Sequence, residues 1–351
     1  MTNGQPTAKS VILFPSDKNG CGFYRTFLPF RYLTVRHPEF HISEFYAFFF
    51  DLNYVRRANW IRFQRQVTND QKKIISQYKI SLGKHNPNGK IAYELDDLVH
   101  GILPNNIMAY QFYTPCRKNN LIDIFRMSNL VTFSTQYLKK YYDDNFGIQN
   151  SVVIPNFLPK SMWGLCGKRD KRKRDPNGKP RVLWAGSASH LGKGGDMEFL
   201  IPLIKKTKND IQWVFMGCKP PDLDGIVEYH DWTNVFDYPR ALDAIDADMG
   251  ISPVADVQFN FGKSDLKLLE YSALGIPTIG SSIGNKSGPY DLINGSCTLE
   301  NKIDIWYSAI MKHFKDESTW QATLTAGKNE LEKRWLENDE NIGLYRNYYS
   351  N

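Results

Sequence analysis

The sequence predicts an α/β protein that contains two doubly wound parallel sheets in succession. Residues 10–14 (SVILF) form a short apolar run, a glycine-containing loop follows, and a helix-like stretch begins at Tyr24. Short apolar runs then recur, and polar or helix-like segments separate them. The same pattern starts again at residues 181–185 after a charged stretch. Strands that alternate with helices are typical of parallel sheets covered by helices on both faces.

In the first half, we expect the remaining strands at five further apolar runs: residues 45–50, 60–63, 91–94, 130–133 and 152–154. Residues 1–160 are therefore assigned to an N-terminal domain. Residues 161–181 are rich in Lys and Arg, contain Pro and Gly, and lack an apolar period over most of their length. They are interpreted as a basic, exposed linker.

In the second half, residues 182–315 are predicted to form another domain of the same class. Its expected strands are residues 181–185, 212–216, 227–229, 249–251 and 277–279, and its expected helices are residues 195–207, 238–246, 264–274 and 302–314. Residues 316–351 are expected to be terminal helices. Because ligands bind beyond the carboxyl ends of strands in such sheets, site residues should lie in loops just after strands, facing a cleft between the domains.

Composition excludes several classes of protein. Of 351 residues, 42% are hydrophobic and 23% are charged, so the bulk of the chain is not disordered. No apolar run approaches the roughly 20 residues of a membrane-spanning helix, and the first residues lack the pattern of a secretory signal. The five Cys lie far apart, which fits neither a disulfide framework nor a metal site. We therefore expect a cytoplasmic protein.

The charge is distributed unevenly. Residues 1–160 hold 20 Lys and Arg against 11 Asp and Glu, a net charge of +9, and residues 161–181 hold 8 against 2, a net charge of +6. The rest of the chain is acidic. A basic face attracts polyanions such as nucleic acid, phosphorylated sugars or anionic lipid, although solubility alone is an alternative explanation.

Residues 261–281 (FGKSDLKLLEYSALGIPTIGS) are the most informative stretch. Lys263 and Ser264 precede a predicted helix that carries Lys267 and Glu270 and ends at Gly275. Residues three or four apart share a helix face, so the two lysines and the glutamate are expected together. A cation at a helix N-terminus can hold phosphate, and a carboxylate further along can hold a ribose diol. A solvated helix face with an ion pair would show the same spacing.

This stretch resembles the nucleotide-sugar signature of the family 4 glycosyltransferases, which have the GT-B fold of two Rossmann-like domains. The resemblance implies retaining transfer from a nucleoside diphosphate sugar, with a UDP-sugar as the first expectation and no required cofactor or metal. It also implies that the Glu270 helix binds ribose and that the terminal helices pack back on the first domain. The family often has a second Glu eight positions earlier, where this chain has Gly262. The sugar is therefore expected to meet backbone groups, Lys263 or Ser264.

Residues 184–196 (WAGSASHLGKGGD) follow the first strand of the second domain and resemble the diphosphate-binding loop of that family. Gly186 and Ser187 allow close backbone approach, and Lys193 is a catalytic candidate because a cation there stabilises the leaving diphosphate. His190 contacts phosphate or ribose, or is an ordinary loop histidine. Gly217, which ends the next strand, is also assigned to the donor site.

Residues 16–25 (SDKNGCGFYR) resemble the opening of phage-encoded and bacterial enzymes of this group. Gly20 and Gly22 would let backbone amides approach the donor phosphate or the acceptor, and a tight turn is the alternative. Arg25 is expected in the first helical turn, where it would face the cleft and contact the acceptor.

Residues 93–104 (YELDDLVHGILP) resemble a segment of the same phage group. Glu94, Asp97 and His100 are predicted to contact the acceptor together with Arg65, and Asp96 is the candidate base. Clustered carboxylates after a strand can also cap the following helix or bind a metal, and these alternatives stay open.

The resemblance also guides the expected acceptor. In GT-B enzymes the first domain mostly holds the acceptor, and phage-encoded relatives glycosylate hydroxymethylated pyrimidines in DNA. The basic first domain favours DNA as the acceptor. The side chains expected to contact the DNA backbone are those of Arg56, Arg57, Arg62 and Arg65, and the target base would be flipped out of the duplex. A phage-encoded enzyme would act in the host cytoplasm. Transfer to a surface polysaccharide, a lipid-linked sugar or a protein is the second hypothesis. An inactive nucleotide-sugar or nucleic-acid binding module is the third.

Overall fold

The computed structural model describes residues 8–167, 178–191, 195–284 and 297–350. They form two compact units. The N-terminal unit contains the described residues of 1–97, 113–157 and 336–351, and the C-terminal unit contains those of 98–112 and 158–335. Each unit is described separately below.

Each unit is built on a parallel six-stranded sheet. The N-terminal sheet has the order β2-β1-β3-β4-β5-β6, and the C-terminal sheet has the order β12-β11-β10-β7-β8-β9. The strands are β1 (Lys9–Phe14), β2 (Phe40–Glu44), β3 (Trp60–Gln64), β4 (Lys90–Leu95), β5 (Leu130–Phe133), β6 (Ser151–Val153), β7 (Arg181–Ala185), β8 (Gln212–Met216), β9 (Glu228–His230), β10 (Met249–Ser252), β11 (Thr278–Ser281) and β12 (Cys297–Leu299).

Helices follow most of these strands, as is usual for connections between parallel strands. They are α1 (Gly20–Gly22), α2 (Leu28–Arg36), α3 (Leu52–Arg57), α4 (Asn69–His85), α5 (Ile107–Phe112), α6 (Pro115–Met127), α7 (Gln136–Phe146), α8 (Lys160–Trp163), α9 (Asp196–Thr207), α10 (Tyr238–Ala244), α11 (Gln258–Phe261), α12 (Leu266–Ala273), α13 (Ile303–Lys315), α14 (Glu317–Lys333) and α15 (Asp339–Tyr349). A π-helical turn (Phe23–Phe27) joins α1 to α2. The predicted α/β class with two doubly wound sheets is confirmed.

The aromatic run at residues 45–50 was predicted to be a strand, and this prediction is wrong. The strand that follows β1 in the chain is β2, which pairs with β1 at the edge of the sheet and ends at Glu44. The run instead packs its rings on Phe14, whose ring centroid lies 5.8, 5.3 and 5.7 Å from those of Phe45, Phe48 and Phe49. A continuous apolar run fits a buried strand and an aromatic loop equally well, so the pattern alone could not separate them.

The units divide the chain differently from the predicted domains. Residues 98–112 belong to the C-terminal unit, although the chain on either side of them belongs to the N-terminal unit. The predicted linker begins inside the C-terminal unit, where Trp163 is fully buried. Residues 168–177 lie outside the described residues. The terminal helices also separate, because α14 packs on α12 and α13 in the C-terminal unit, whereas α15 enters the core of the N-terminal unit.

Within the described part of the chain, no helix is long and apolar enough to cross a membrane.

Candidate functional site

Two loops at the carboxyl edge of the C-terminal sheet carry most of the predicted donor residues. The loop after β7 contains Gly186, Ser187 and His190, and the segment after β10 leads to Lys263 and Ser264. Strands β7 and β10 are neighbours, and the order of strands along the chain reverses between them. Ligands of open α/β sheets bind at such a point. This edge is therefore the candidate ligand site of the C-terminal unit.

The buried carboxylate of Asp196 connects these two loops. Its Oδ1 accepts hydrogen bonds from the backbone N of Ala255 at 2.6 Å and from Nδ2 of Asn260 at 2.9 Å. Its Oδ2 contacts Nδ1 of His190. Burial acts to raise the pKa of Asp196, but the hydrogen bond from His190 and the positive charge of Lys263 outweigh it, so the pKa lies below its ordinary value. Asp196 is therefore ionised and holds both loops.

Lys263 lies between α11 and α12. Its Nζ is 4.8 Å from the ring centroid of Phe259, a cation–π contact that keeps the ammonium group at this edge. Ser264 is half-buried beside it in sequence. Lys263 precedes α12 rather than sharing its face, so the expected three-residue face is reduced to Lys267 and Glu270.

Glu270 is a buried carboxylate in α12. Its Oε2 accepts hydrogen bonds from Nζ of Lys267 at 2.6 Å and from the Tyr238 hydroxyl at 3.3 Å. The Glu270 side chain is 4% exposed and that of Lys267 is 26% exposed, so the alternative of a solvated helix face does not describe this pair. Among the described residues, none hydrogen-bonds the other oxygen, Oε1. The pair thus presents one carboxylate oxygen and one ammonium group for ligand contact.

Two predicted donor glycines are explained by close packing. Gly217 has φ +99°, and a Cβ on it would lie 2.6 Å from the carbonyl oxygen of Gly186 and 2.5 Å from the Trp232 ring. A Cβ on Gly186 would lie 2.5 Å from the Trp184 ring. The loop after β8 can therefore approach the loop after β7 closely because position 217 is glycine, whereas Gly186 leaves room for the Trp184 ring of its own strand. Ser187 is exposed at the start of the turn that carries His190.

Lys193, the predicted diphosphate ligand and catalytic cation, lies outside the described residues.

In the N-terminal unit, the predicted glycine cradle is occupied by a side chain of its own loop. Oδ1 of Asp17 accepts hydrogen bonds from the backbone N of Asn19 at 2.8 Å and of Gly22 at 3.2 Å. A Cβ on Gly22 would lie 1.9 Å from the carbonyl oxygen of Asp17, whereas a Cβ on Gly20 would meet open space. The prediction that the Gly22 amide contacts a ligand is therefore corrected, because the Asp17 carboxylate takes that amide and a tight turn requires the glycine.

Arg25 and Glu94 were predicted to contact the acceptor, and both predictions are corrected. Arg25 is 3% exposed and Glu94 is fully buried. Nε of Arg25 donates to Oε1 of Glu94 at 2.7 Å, and its Nη1 donates to the carbonyl oxygen of Ile154 at 2.6 Å. The two side chains neutralise each other inside the unit, so neither reaches a substrate.

Arg62 belongs to the same buried cluster rather than to a DNA-contacting surface. Its Nη2 donates to Oε2 of Glu94 at 2.8 Å, and its Nη1 donates to the Tyr349 hydroxyl of α15 at 2.6 Å. Arg56 and Arg57, by contrast, are exposed at the end of α3. Of the four arginines proposed for backbone contact, Arg62 is excluded by its burial.

Arg65 joins the two aspartates that follow β4. Its Nε lies 2.5 Å from Oδ1 of Asp96, and its Nη2 lies 2.5 Å from Oδ2 of Asp97. Arg65 has φ +61°, a left-handed conformation that is unusual and strained for a residue with a Cβ. Burial raises the pKa of Asp96 above its ordinary value despite the neighbouring Arg65. Arg65, Asp96 and Asp97 thus form one ion-paired cluster at the carboxyl edge of the N-terminal sheet.

His100 belongs to a different unit from the residues of this cluster. It lies half-buried in a 3-10 turn (Val99–Gly101) that belongs to the C-terminal unit, whereas Asp96 and Asp97 belong to the N-terminal unit.

No group of three or more His, Cys, Asp or Glu side chains in the described residues could hold a metal ion.

Sequence reasoning missed Asp196 and Tyr238. Asp196 is the first residue of α9, where an acidic residue is ordinary, so its position suggested only a favourable helix start. Its hydrogen bonds to Ala255 and Asn260 join residues about 60 positions apart, which no local pattern reports. Tyr238, 32 positions before Glu270, was hidden for the same reason.

Comparison with solved structures identifies the fold. Anabaena HepE, solved with UDP and glucose, has a TM-score of 0.64 at 11% identity, and the match covers 98% of this chain and 100% of that one. An α-glucosyltransferase, solved with UDP-glucose and DNA containing an abasic site, has a TM-score of 0.63 at 11% identity with the same coverage.

TarM has a TM-score of 0.57 at 13% identity, and the match covers 83% of this chain and 55% of TarM, so the chain spans about half the length of that protein. No protein-family model and no curated protein matches the sequence. The two parallel six-stranded sheets therefore form the fold that these solved structures share, the GT-B fold.

Proposed function

We propose that this protein is a glycosyltransferase that uses a nucleoside diphosphate sugar held by the C-terminal unit. Two features of the C-terminal unit support the proposal: His190 and Lys263 lie near Asp196 by the loops after β7 and β10, the switch point of the sheet, and Lys267 and Glu270 form a buried pair in α12. Two cations, a histidine and a carboxylate match the phosphates and the ribose diol of such a donor. Structural neighbours with the same fold were solved with UDP or UDP-glucose, which makes a UDP-sugar the first donor to test.

Each residue of this group has a proposed role. Oε1 of Glu270 accepts hydrogen bonds from the ribose hydroxyls, while Lys267 and Tyr238 hold the opposite oxygen. Lys263 and Lys193 neutralise the diphosphate as it leaves, and Ser264 contacts the sugar. Charge stabilisation of a leaving group is often the largest catalytic contribution of a site. By this account the enzyme retains the anomeric configuration and needs no metal.

For the acceptor, we propose a hydroxymethylated pyrimidine in DNA. The net charge of +9 over residues 1–160 supports this choice, since phosphate contacts dominate DNA affinity. In addition, Ile107 and Met108 of α5 are 62% and 83% exposed in a stretch, residues 98–112, that contains no Lys, Arg, Asp or Glu. Exposed aliphatic side chains of this kind can enter a base step and open it. Arg65, Asp96 and Asp97 would then orient the acceptor hydroxyl.

A glycan acceptor is the second candidate. A TarM variant was solved with fondaparinux, α-GlcNAc-glycerol and UDP, which places saccharide ligands on a protein with the same fold. Under this alternative, the basic N-terminal unit would meet an anionic glycan or a phosphate-bearing polymer.

Donor consumption tests the proposal first. Purified protein is incubated with a panel of UDP- and GDP-sugars, and release of the nucleoside diphosphate is measured with and without hydroxymethylated DNA or glycan acceptors. We expect one donor to be consumed and its consumption to rise with the correct acceptor. If no donor is consumed and the protein binds DNA with an affinity that falls as salt rises, the third hypothesis, an inactive binding module, would be favoured over the enzyme.

A further inference from the structure

We propose that Asp196 is a positioning residue that fixes His190 so that its Nε2 binds the diphosphate of the sugar donor. The inference rests on the proposed function and assigns a binding role within the same site. It concerns a residue that the sequence pattern presented only as the start of a helix.

The contacts of Asp196 leave His190 little rotational freedom. Oδ2 of Asp196 holds Nδ1 of the imidazole, and the ring meets Trp184 edge to face, with centroids 5.7 Å apart and planes at 86°. Trp184 is itself buried in β7. The side chain of Asp196 is 6% exposed, whereas that of His190 is 23% exposed. The carboxylate thus anchors the ring from the interior, and part of the ring reaches the surface.

The ionised carboxylate also determines which ring nitrogen carries a hydrogen. A carboxylate can only accept hydrogen bonds, so Nδ1 of His190 must be the donor. Both oxygens of Asp196 are engaged, since Oδ1 accepts from Ala255 and Asn260. Nε2 is therefore the nitrogen that remains for a ligand, and none of the described residues hydrogen-bonds it.

Binding of a diphosphate then engages the second nitrogen of the imidazole ring, Nε2. Nε2 takes up a proton from the solvent and donates a hydrogen bond to a phosphate oxygen, and the proton stays on the imidazolium. In the described structure, Asp196 at the start of α9 contacts the ring directly, the positive charge of Lys263 after α11 acts on Asp196, and β7 contributes the neutral Trp184. Asp196 balances the new positive charge, which makes the charged ring compatible with its partly buried position.

Nitrogen-15 NMR of the ligand-free protein tests the positioning step without any donor. In wild-type protein we expect His190 as the Nδ1–H tautomer. In Asp196→Asn, the Oδ1 contacts hold the side-chain oxygen toward Ala255 and Asn260, so the amide NH2 faces His190. Nδ1 must then accept, and the tautomer should switch to Nε2–H. An Nε2–H tautomer in the wild type, or no switch in the variant, would overturn the assignment.

Calorimetry with UDP in buffers of different ionisation enthalpy tests the ligand contact. We expect His190→Gln to weaken UDP binding by about tenfold, as loss of a charge-assisted hydrogen bond does, and to abolish the proton uptake expected for the wild type. Asp196→Asn should also reduce the proton uptake. His85→Gln, at the exposed end of α4, is the matched control and should leave both quantities unchanged.

The outcomes separate this inference from the proposed function. If wild-type protein does not bind UDP or any other donor nucleotide, the proposed function fails and the phosphate contact fails with it. If wild-type protein binds UDP and His190→Gln binds it equally well with the same proton uptake, only the role of His190 and Asp196 is overturned.

Discussion

Nε of Arg25 lies 2.7 Å from Oε1 of Glu94 in the core of the N-terminal unit, although 69 residues separate them. Arg62 holds the second carboxylate oxygen of Glu94 at 2.8 Å and reaches the hydroxyl of Tyr349 in α15. One carboxylate thus supports two buried guanidinium groups, and the last helix of the chain completes the cluster. The stability of this unit therefore depends on charged side chains that the sequence analysis assigned to substrate binding.

Glu94→Gln should destabilise the protein strongly, because it leaves two buried guanidinium groups without their counter-charge. We expect a loss of about 3–5 kcal/mol in the free energy of unfolding, measured by urea denaturation. Glu44→Gln is the matched control, since Arg31 pairs with Glu44 at 2.6 Å with 52% of its own side chain exposed, and it should cost about 0–1 kcal/mol. A stable Glu94→Gln protein that loses only acceptor binding would restore the role predicted from the sequence.

Glu270→Gln should remove most of the transferase activity while keeping the shape of the buried side chain. A neutral amide loses the ion pair with Lys267 and binds the ribose hydroxyls less well, so we expect kcat/KM to fall by about 10²–10³-fold. Lys206→Ala is the control, because Lys206 is 61% exposed in a surface pair with Asp304 of the same unit. Unchanged activity in Glu270→Gln, with a normal melting temperature, would exclude α12 as the donor site.

The bidentate pair between Arg181 and Glu228 should make the C-terminal unit sensitive to acid. The hydrogen bonds from Arg181 lower the pKa of Glu228 to about 2, and they join β7 to β9 at 2.8 and 2.9 Å. A carboxyl with a depressed folded-state pKa stabilises the fold above its ordinary pKa, and this stabilisation disappears as the pH falls toward 2.

Arg181→Gln removes the largest cause of this shift, so unfolding stability should fall less steeply below about pH 4.5 than in the wild type. Urea midpoints measured at several pH values between about 5 and 3 give the two slopes. Equal slopes in the two proteins would show that the pair does not contribute to acid sensitivity.

Met108→Ala should reduce DNA labelling if α5 opens the base stack. Since unstacking a base step costs a few kcal/mol, we expect about tenfold less labelling of duplex DNA and a smaller loss with single-stranded DNA. Donor hydrolysis without DNA should not change. Val35→Ala is the control, because Val35 is an exposed apolar side chain of α2, at 77% exposure. Equal losses on duplex and single strand would argue against the wedge.

Local patterns explain the parts of the fold that were predicted correctly. The runs at residues 130–133, 181–185 and 212–216 coincide with β5, β7 and β8, because fully buried parallel strands are nearly continuous apolar segments. The Lys267–Glu270 pair was also predictable, since both residues lie on one helix three positions apart. Strand β12, which has three residues, was not predicted.

Long-range pairing explains the parts that were not predictable. Charged residues are usually exposed, and only the folded chain shows that Arg25, Arg62 and Glu94 neutralise one another in the core. Gly22 lies in a stretch that resembles a phosphate-binding loop, but its backbone N–H donates a hydrogen bond to the carboxylate of Asp17, five residues earlier. In each case the decisive fact is the identity of the partner, which periodicity and propensity do not encode.

Mass spectrometry of modified DNA tests the central proposal most directly. Protein, a UDP-sugar panel and DNA containing hydroxymethylcytosine or hydroxymethyluracil are incubated together, and the DNA is digested to nucleosides. The account predicts a nucleoside heavier by one sugar with wild-type protein and very little of it with Glu270→Gln. Consumption of a donor without any labelled nucleoside would contradict the DNA acceptor, and absence of both products with every donor would contradict the glycosyltransferase itself.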